Sequence, residues 1–113
     1  MAIQLHLNSS PLRREVLESP VIQGANETKK YFVDFETWGA SDANPVTTPD
    51  VTVWDADEID VTSTVCAGGG SVVNDTQVYF TLTAFAKDIS YRVEIEGTWD
   101  AQTLEAICRF IGD

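Results

Sequence analysis

Alternation restricts the fold of this chain more than any other feature. In Val78–Thr83 the apolar residues Val78, Phe80 and Leu82 alternate with Tyr79, Thr81 and Thr83. In Tyr91–Glu96, Tyr91, Val93 and Ile95 alternate with Arg92, Glu94 and Glu96. In Lys30–Trp38, Tyr31, Val33 and Phe35 share one parity, and Phe32, Asp34, Glu36 and Trp38 the other. A period of two gives each segment one apolar face as a pleated strand, and that face must be covered. Helices long enough for parallel crossovers are missing from the pattern, so a second sheet has to cover it.

From Val21 on, strand-like runs are separated by turn signals at spacings of about 8–12 residues, the rhythm of a two-sheet sandwich. Val21–Gln23 is a short first strand and Gly24–Glu27 a turn. Lys30–Trp38 is followed by a loop over Gly39–Asp50, a strand over Val51–Ala56 and an acidic bend. Ile59–Ala67 reads as a half-exposed strand, Gly68–Gly70 as a flexible turn and Ser71–Val73 as a strand. Three strands close the chain, with the last turn over Gly97–Asp100. Tyr91 heads the penultimate strand after a short corner, Ala86-Lys87-Asp88, which is the placing of a tyrosine corner. The expected fold is therefore all-β, an immunoglobulin-like antiparallel β-sandwich of about seven strands over residues 21–113. Its inward set comprises Tyr31, Val33, Phe35, Trp54, Val78, Phe80, Leu82, Tyr91, Val93 and Ile95.

Residues 1–20 read differently, as an N-terminal arm. Ile3, Leu5 and Leu7 alternate with Gln4 and His6, Ser10-Pro11 can start two helical turns over Leu12–Glu18, and Ser19-Pro20 ends them. Three apolar residues are too few for a core of their own. They suit a strand added to an exposed sheet edge, so Ile3, Leu5 and Leu7 are expected at an interface with another subunit or a partner. The alternative is that Ile3–Leu7 is the sandwich's own first strand.

The formal net charge is −11, from 7 Lys and Arg against 18 Asp and Glu. Such a chain repels phosphates and anionic lipid, so neither nucleic acid nor a membrane surface is an expected partner. No run of about 18 apolar residues offers a membrane span, and the start lacks the pattern of a signal peptide. Cys66 and Cys108 are expected as reduced, buried thiols, with a disulfide between them as the alternative.

Chemistry-bearing motifs are sparse. His6 is the lone histidine, no Ser or Cys elbow surrounds it, and Gly68-Gly69-Gly70 lacks the lysine of a phosphate loop. No catalytic residues and no cofactor are expected. Asp55, Asp57, Glu58 and Asp60 are the one metal candidate, because alternate carboxylates in a loop can feed a calcium ion; without a glycine at the bend they read first as a solvated turn. Trp38, Trp54 and Trp99 offer either a sugar-stacking platform or separate roles: Trp54 in the core, with Trp38 at a strand end and Trp99 in a turn as interface anchors.

The segment YFVDFETWG, with Tyr31, Val33, Asp34, Phe35 and Trp38, resembles a stretch of small tailed-phage virion proteins of the fiber-tail adaptor type. The resemblance continues through VTVWDAD with Trp54 and IDVTSTVCA, and closes on VYFTLTAFAKDISYRVEIEGTWDAQTLEAICRFI, spanning roughly Val21 to Gly112. It departs at the corner Ala84–Asp88, where the family carries glycines, and after Gly97, where it carries a polar or basic residue. The resemblance implies an immunoglobulin-like sandwich and a non-enzymatic structural role in a phage particle. The chain would be an adaptor at the neck or tail, or a capsid decoration protein. Its partners would be other tail, neck or capsid proteins and further copies of itself, and its place the virion after synthesis in the host cytoplasm. The alternative function is a glycan- or calcium-dependent binding module, and an enzyme accessory domain is a third.

Overall fold

In the computed structural model, which describes residues 1–113, eight strands form two four-stranded sheets packed face to face. They are β1 (Ile3–Gln4), β2 (Val21–Gln23), β3 (Lys29–Asp34), β4 (Thr47–Trp54), β5 (Ser71–Val73), β6 (Gln77–Leu82), β7 (Ser90–Trp99) and β8 (Gln102–Gly112). One sheet has the order β1-β3-β6-β5, the other β2-β8-β7-β4. These are the ABED and GFC orders of an immunoglobulin-like sandwich, with β2 added beside the last strand. The sheets are mixed rather than wholly antiparallel. β1 runs parallel to β3 and β2 parallel to β8, while the remaining pairs are antiparallel. Parallel pairing is open to these two strands because neither joins its neighbour by a hairpin.

The alternating runs bury the faces their parity requires. Tyr31, Val33, Val78, Phe80, Leu82, Tyr91, Val93 and Ile95 all lie in the core. Tyr31 meets Phe110 edge-on across the sandwich at 5.1 Å. The corner before β7 forms as its sequence implies: the Tyr91 hydroxyl accepts the Ala86 N–H at 2.8 Å, and Phe85 stacks on the Tyr91 ring at 4.5 Å. Gln23 is fully buried yet satisfied, accepting from the Tyr31 hydroxyl and donating to the Leu82 carbonyl, so β2 is tied across to the other sheet.

Four sequence expectations are corrected. The strand from Lys30 ends at Asp34, whose carboxylate accepts the Glu36 N–H and caps a 3-10 turn over Phe35–Trp38. That turn swings Trp38 off the polar face and into the core beside Phe35. In β4 the register pairs Val51 with Ile95 and Val53 with Val93, so the valines fill the inner face and Trp54 points outward, half-buried. Ile59–Ala67 is not a strand. The Asp60 carboxylate accepts from the Thr62 N–H and hydroxyl and starts one helical turn, α1 (Thr62–Val65). The final turn is Asp100-Ala101, with φ of 50° and 60°, a two-residue left-handed turn that matches strand twist. Gly97 lies inside β7, where a Cβ would stand 3.0 Å from Val46 and 3.1 Å from the Phe35 ring.

The N-terminal segment is the largest correction. Leu5, Leu7 and Val16 are buried in the core of their own sandwich. The Leu5 N–H donates to the Phe32 carbonyl, Val16 to Ile107, and Ile107 back to Arg14. Between these contacts the chain crosses from one sheet to the other, and residues 1–23 build one whole side of the molecule, the side where β1 and β2 are the edge strands. Three apolar residues cannot form a core, but they can complete one.

Candidate interaction surfaces

The chemistry-bearing residues do not converge on a common centre. His6 lies on the surface, its ring bonded to the Glu18 carboxylate, which also accepts the His6 N–H. Burial pushes the Glu18 carboxyl up, but these His6 bonds outweigh it and hold the group below the usual carboxylate range. Cys66 and Cys108 are free thiols, both buried. Burial raises both, Cys108 to about 12, so neither is a thiolate at neutral pH.

The acidic bend is satisfied by its own backbone. Asp55 accepts the N–H groups of Asp57 and Ile59 at 2.9 and 3.0 Å, and Asp60 accepts the Thr62 N–H just ahead of α1. Glu58 grips Arg92 with both oxygens at 2.8 Å, and the guanidinium holds its carboxyl below the usual range. No three of the chain's carboxylate, thiol or imidazole groups are placed to hold one metal ion. Arg92 also bonds Glu94 at 3.1 Å and lies over the Trp54 ring, whose indole N–H donates to the other Glu94 oxygen. This network lies on the outer face of the β2-β8-β7-β4 sheet.

The tryptophans do not form a platform, and two are not interface anchors. Trp38 and Trp99 both pack on the buried Phe35 ring, at 5.6 and 5.0 Å, and Trp99 is 3% exposed. Of the residues expected at an interface, Leu5, Leu7, Trp38 and Trp99 are buried in the molecule itself, and Ile3 alone is exposed.

What the surface offers instead is a contrast in charge and polarity. Eight large apolar side chains are exposed, and five of them, Met1, Ile3, Leu12, Leu17 and Ile22, belong to the first 22 residues. In that stretch Arg13 and Arg14 balance Glu15 and Glu18, which leaves five cations against sixteen carboxylates in the remainder, the full −11. The side built by residues 1–23 is thus a neutral, apolar strip on a molecule that elsewhere repels its own kind. Leu12 is 93% exposed at the head of a closed turn, in which the Arg13 N–H donates to the Ser10 carbonyl. Arg13 has no ion-pair partner. Alternation did not reveal these residues; the local charge balance and the Ser10-Pro11-Leu12 turn are the signals that carry them.

A second apolar feature lies at the end of the sandwich where β4 finishes and β7 begins. A groove of about 250 Å³ opens between α1 and the tyrosine corner, lined by Val61, Val65, Ala84, Ala86 and Ile89, with Asp55 and Asp57 at its rim. No family model matches this chain, and no curated protein is detectably similar to it in sequence.

Proposed function

We propose that this protein is a structural subunit that works through protein–protein contacts in a tailed-phage particle, as an adaptor at the neck or tail or as a capsid decoration protein. The observation that carries the contact role is the neutral, apolar side formed by residues 1–23 on an otherwise acidic sandwich. Self-repulsion disfavours contacts in which two acidic surfaces face each other, so association is directed to contacts that include that side. The phage setting rests on the resemblance of the segments between Val21 and Gly112. The acidic surface suits the outside of a particle rather than its DNA-filled interior.

The rival module draws little from the geometry. Its tryptophans are split between core and surface, and three of its four carboxylates, Asp55, Asp60 and Glu58, are spent on backbone N–H groups and on Arg92. The test is co-purification of the full chain with portal, neck, tail and capsid proteins encoded beside it. Stable co-elution with one of them, abolished by Leu17→Ser together with Ile22→Ser, is expected. Elution apart from all of them contradicts the reading.

A further inference from the structure

We infer that copies of this chain associate head to tail, the Leu12–Arg13 turn of one copy seating in the groove between α1 and the tyrosine corner of the next; the inference rests on the structural reading above and names its self-contact. The two surfaces are a knob and a hole. On the knob, Pro11 fixes the turn, the Arg13 N–H closes it on Ser10 at 3.0 Å, and the Leu12 N–H donates to the Ser10 hydroxyl at 3.3 Å. The turn is therefore ordered before contact, which spares the entropy of arranging it. It presents one almost fully exposed leucine followed by an arginine without a carboxylate partner.

The hole matches both residues. Its walls are mainly aliphatic, with Thr64 and Tyr91 among them, and its volume, about 250 Å³, accommodates one leucine side chain. Its rim holds Asp55 and Asp57, and no cation lines it. The Asp57 side chain makes no hydrogen bond or ion pair of its own, so it is free to meet Arg13. Two of the three exposed large apolar residues outside the N-terminal side, Ile59 and Ile89, lie at this bend and corner. Exposed apolar surface is thus gathered in two places, with the unpaired Arg13 at one and the unpaired Asp57 at the other.

The places lie toward opposite ends of the sandwich. Asn8, just before the knob, accepts from the Trp38 indole at the end where β3 and β7 finish. The groove lies where β4 ends and β7 begins. Knob and hole on one copy cannot meet each other, and a contact between unlike surfaces is heterologous, so it propagates into a ring or a filament. Many weak copies of one contact then add.

Sedimentation of the full chain over a wide concentration range tests this. The wild type should gain mass with concentration. Leu12→Ser, Arg13→Asp and Asp57→Arg should each weaken association by about tenfold or more. All three residues are exposed, so each variant should melt like the parent. The Arg13→Asp/Asp57→Arg double variant should regain association, because the pair is restored with its charges exchanged. A monomer at every concentration overturns the inference, and so does association that ignores these substitutions. A monomeric chain that still binds a neck, tail or capsid protein would overturn the self-contact and leave the structural role standing. Self-association by this contact without any particle partner would do the reverse.

Discussion

The Tyr91 hydroxyl shows how one hydrogen bond carries a whole corner. It accepts the Ala86 N–H, and the same corner is held from the other side by Asp88 and Gly112, whose backbones bond each other and Ile89. Tyr91→Phe keeps the ring stack and removes only the acceptor, so it should cost about 1 kcal/mol in chemical denaturation with the fold unchanged. Gly112→Ala should be far worse, because its Cβ would lie 1.9 Å from the Ala86 carbonyl oxygen, on backbone that cannot swing aside. Equal stability of the Tyr91→Phe variant would remove the corner from the account. At the same scale, Glu96 and Glu105 face each other across β7 and β8. Burial first, then the charges of Glu94 and Glu96, hold the Glu105 carboxyl above its usual value. A raised acid favours the folded state only while protonated, so this stability fades as pH rises through the carboxylate range. Glu96→Gln should therefore raise stability at neutral pH by about 0.2–1 kcal/mol and leave it unchanged in acid. An unchanged melting temperature at neutral pH would show that the pair does not repel.

At the scale of the element, the N-terminal segment separates what is legible from what is not. Its alternation is plain in Ile3, Leu5 and Leu7, but alternation states only that a face is buried, not in which molecule. The structure buries Leu5 fully in its own core, so Leu5→Ala should cost about 2–5 kcal/mol, and deletion of residues 1–20 should unfold or deeply destabilise the domain. A deletion that melts like the parent would restore the detached arm. β6 and β7 are legible because each has one solvated face and a clean period of two. In β4 the period is equally clean, yet the bulk of Trp54 points attention to the wrong parity; two valines outweigh one tryptophan whose indole N–H needs a partner and finds it on Glu94. Trp99 is misplaced for a different reason. Gly97 looks like the turn, whereas it is a strand residue kept small by Val46 and Phe35, and the real turn holds no glycine. The candidate site is the least legible part. Leu12, Leu17 and Ile22 follow no strand period, and the groove is assembled from α1 and the corner, which are distant in sequence.

On the scale of the whole molecule, charge sets the terms. An excess of eleven carboxylates keeps free copies apart at low salt, so association through the neutral side should strengthen as salt screens the remainder. The side itself is held shut by His6 and Glu18. Glu18 is depressed in the folded chain, so its contribution is present at neutral pH and is lost as pH falls through its lowered value. As pH falls through that lowered range the Leu17–Glu18 stretch should loosen from His6 before the core melts. Amide hydrogen exchange reads all of this at once. In the isolated chain, the Leu5, Val16 and Ile107 amides should exchange as slowly as core amides such as Val93, and on assembly the added protection should fall on Leu12–Ile22. Fast exchange at Leu5 and Val16 in the isolated chain, with protection appearing there only on assembly, would contradict the account.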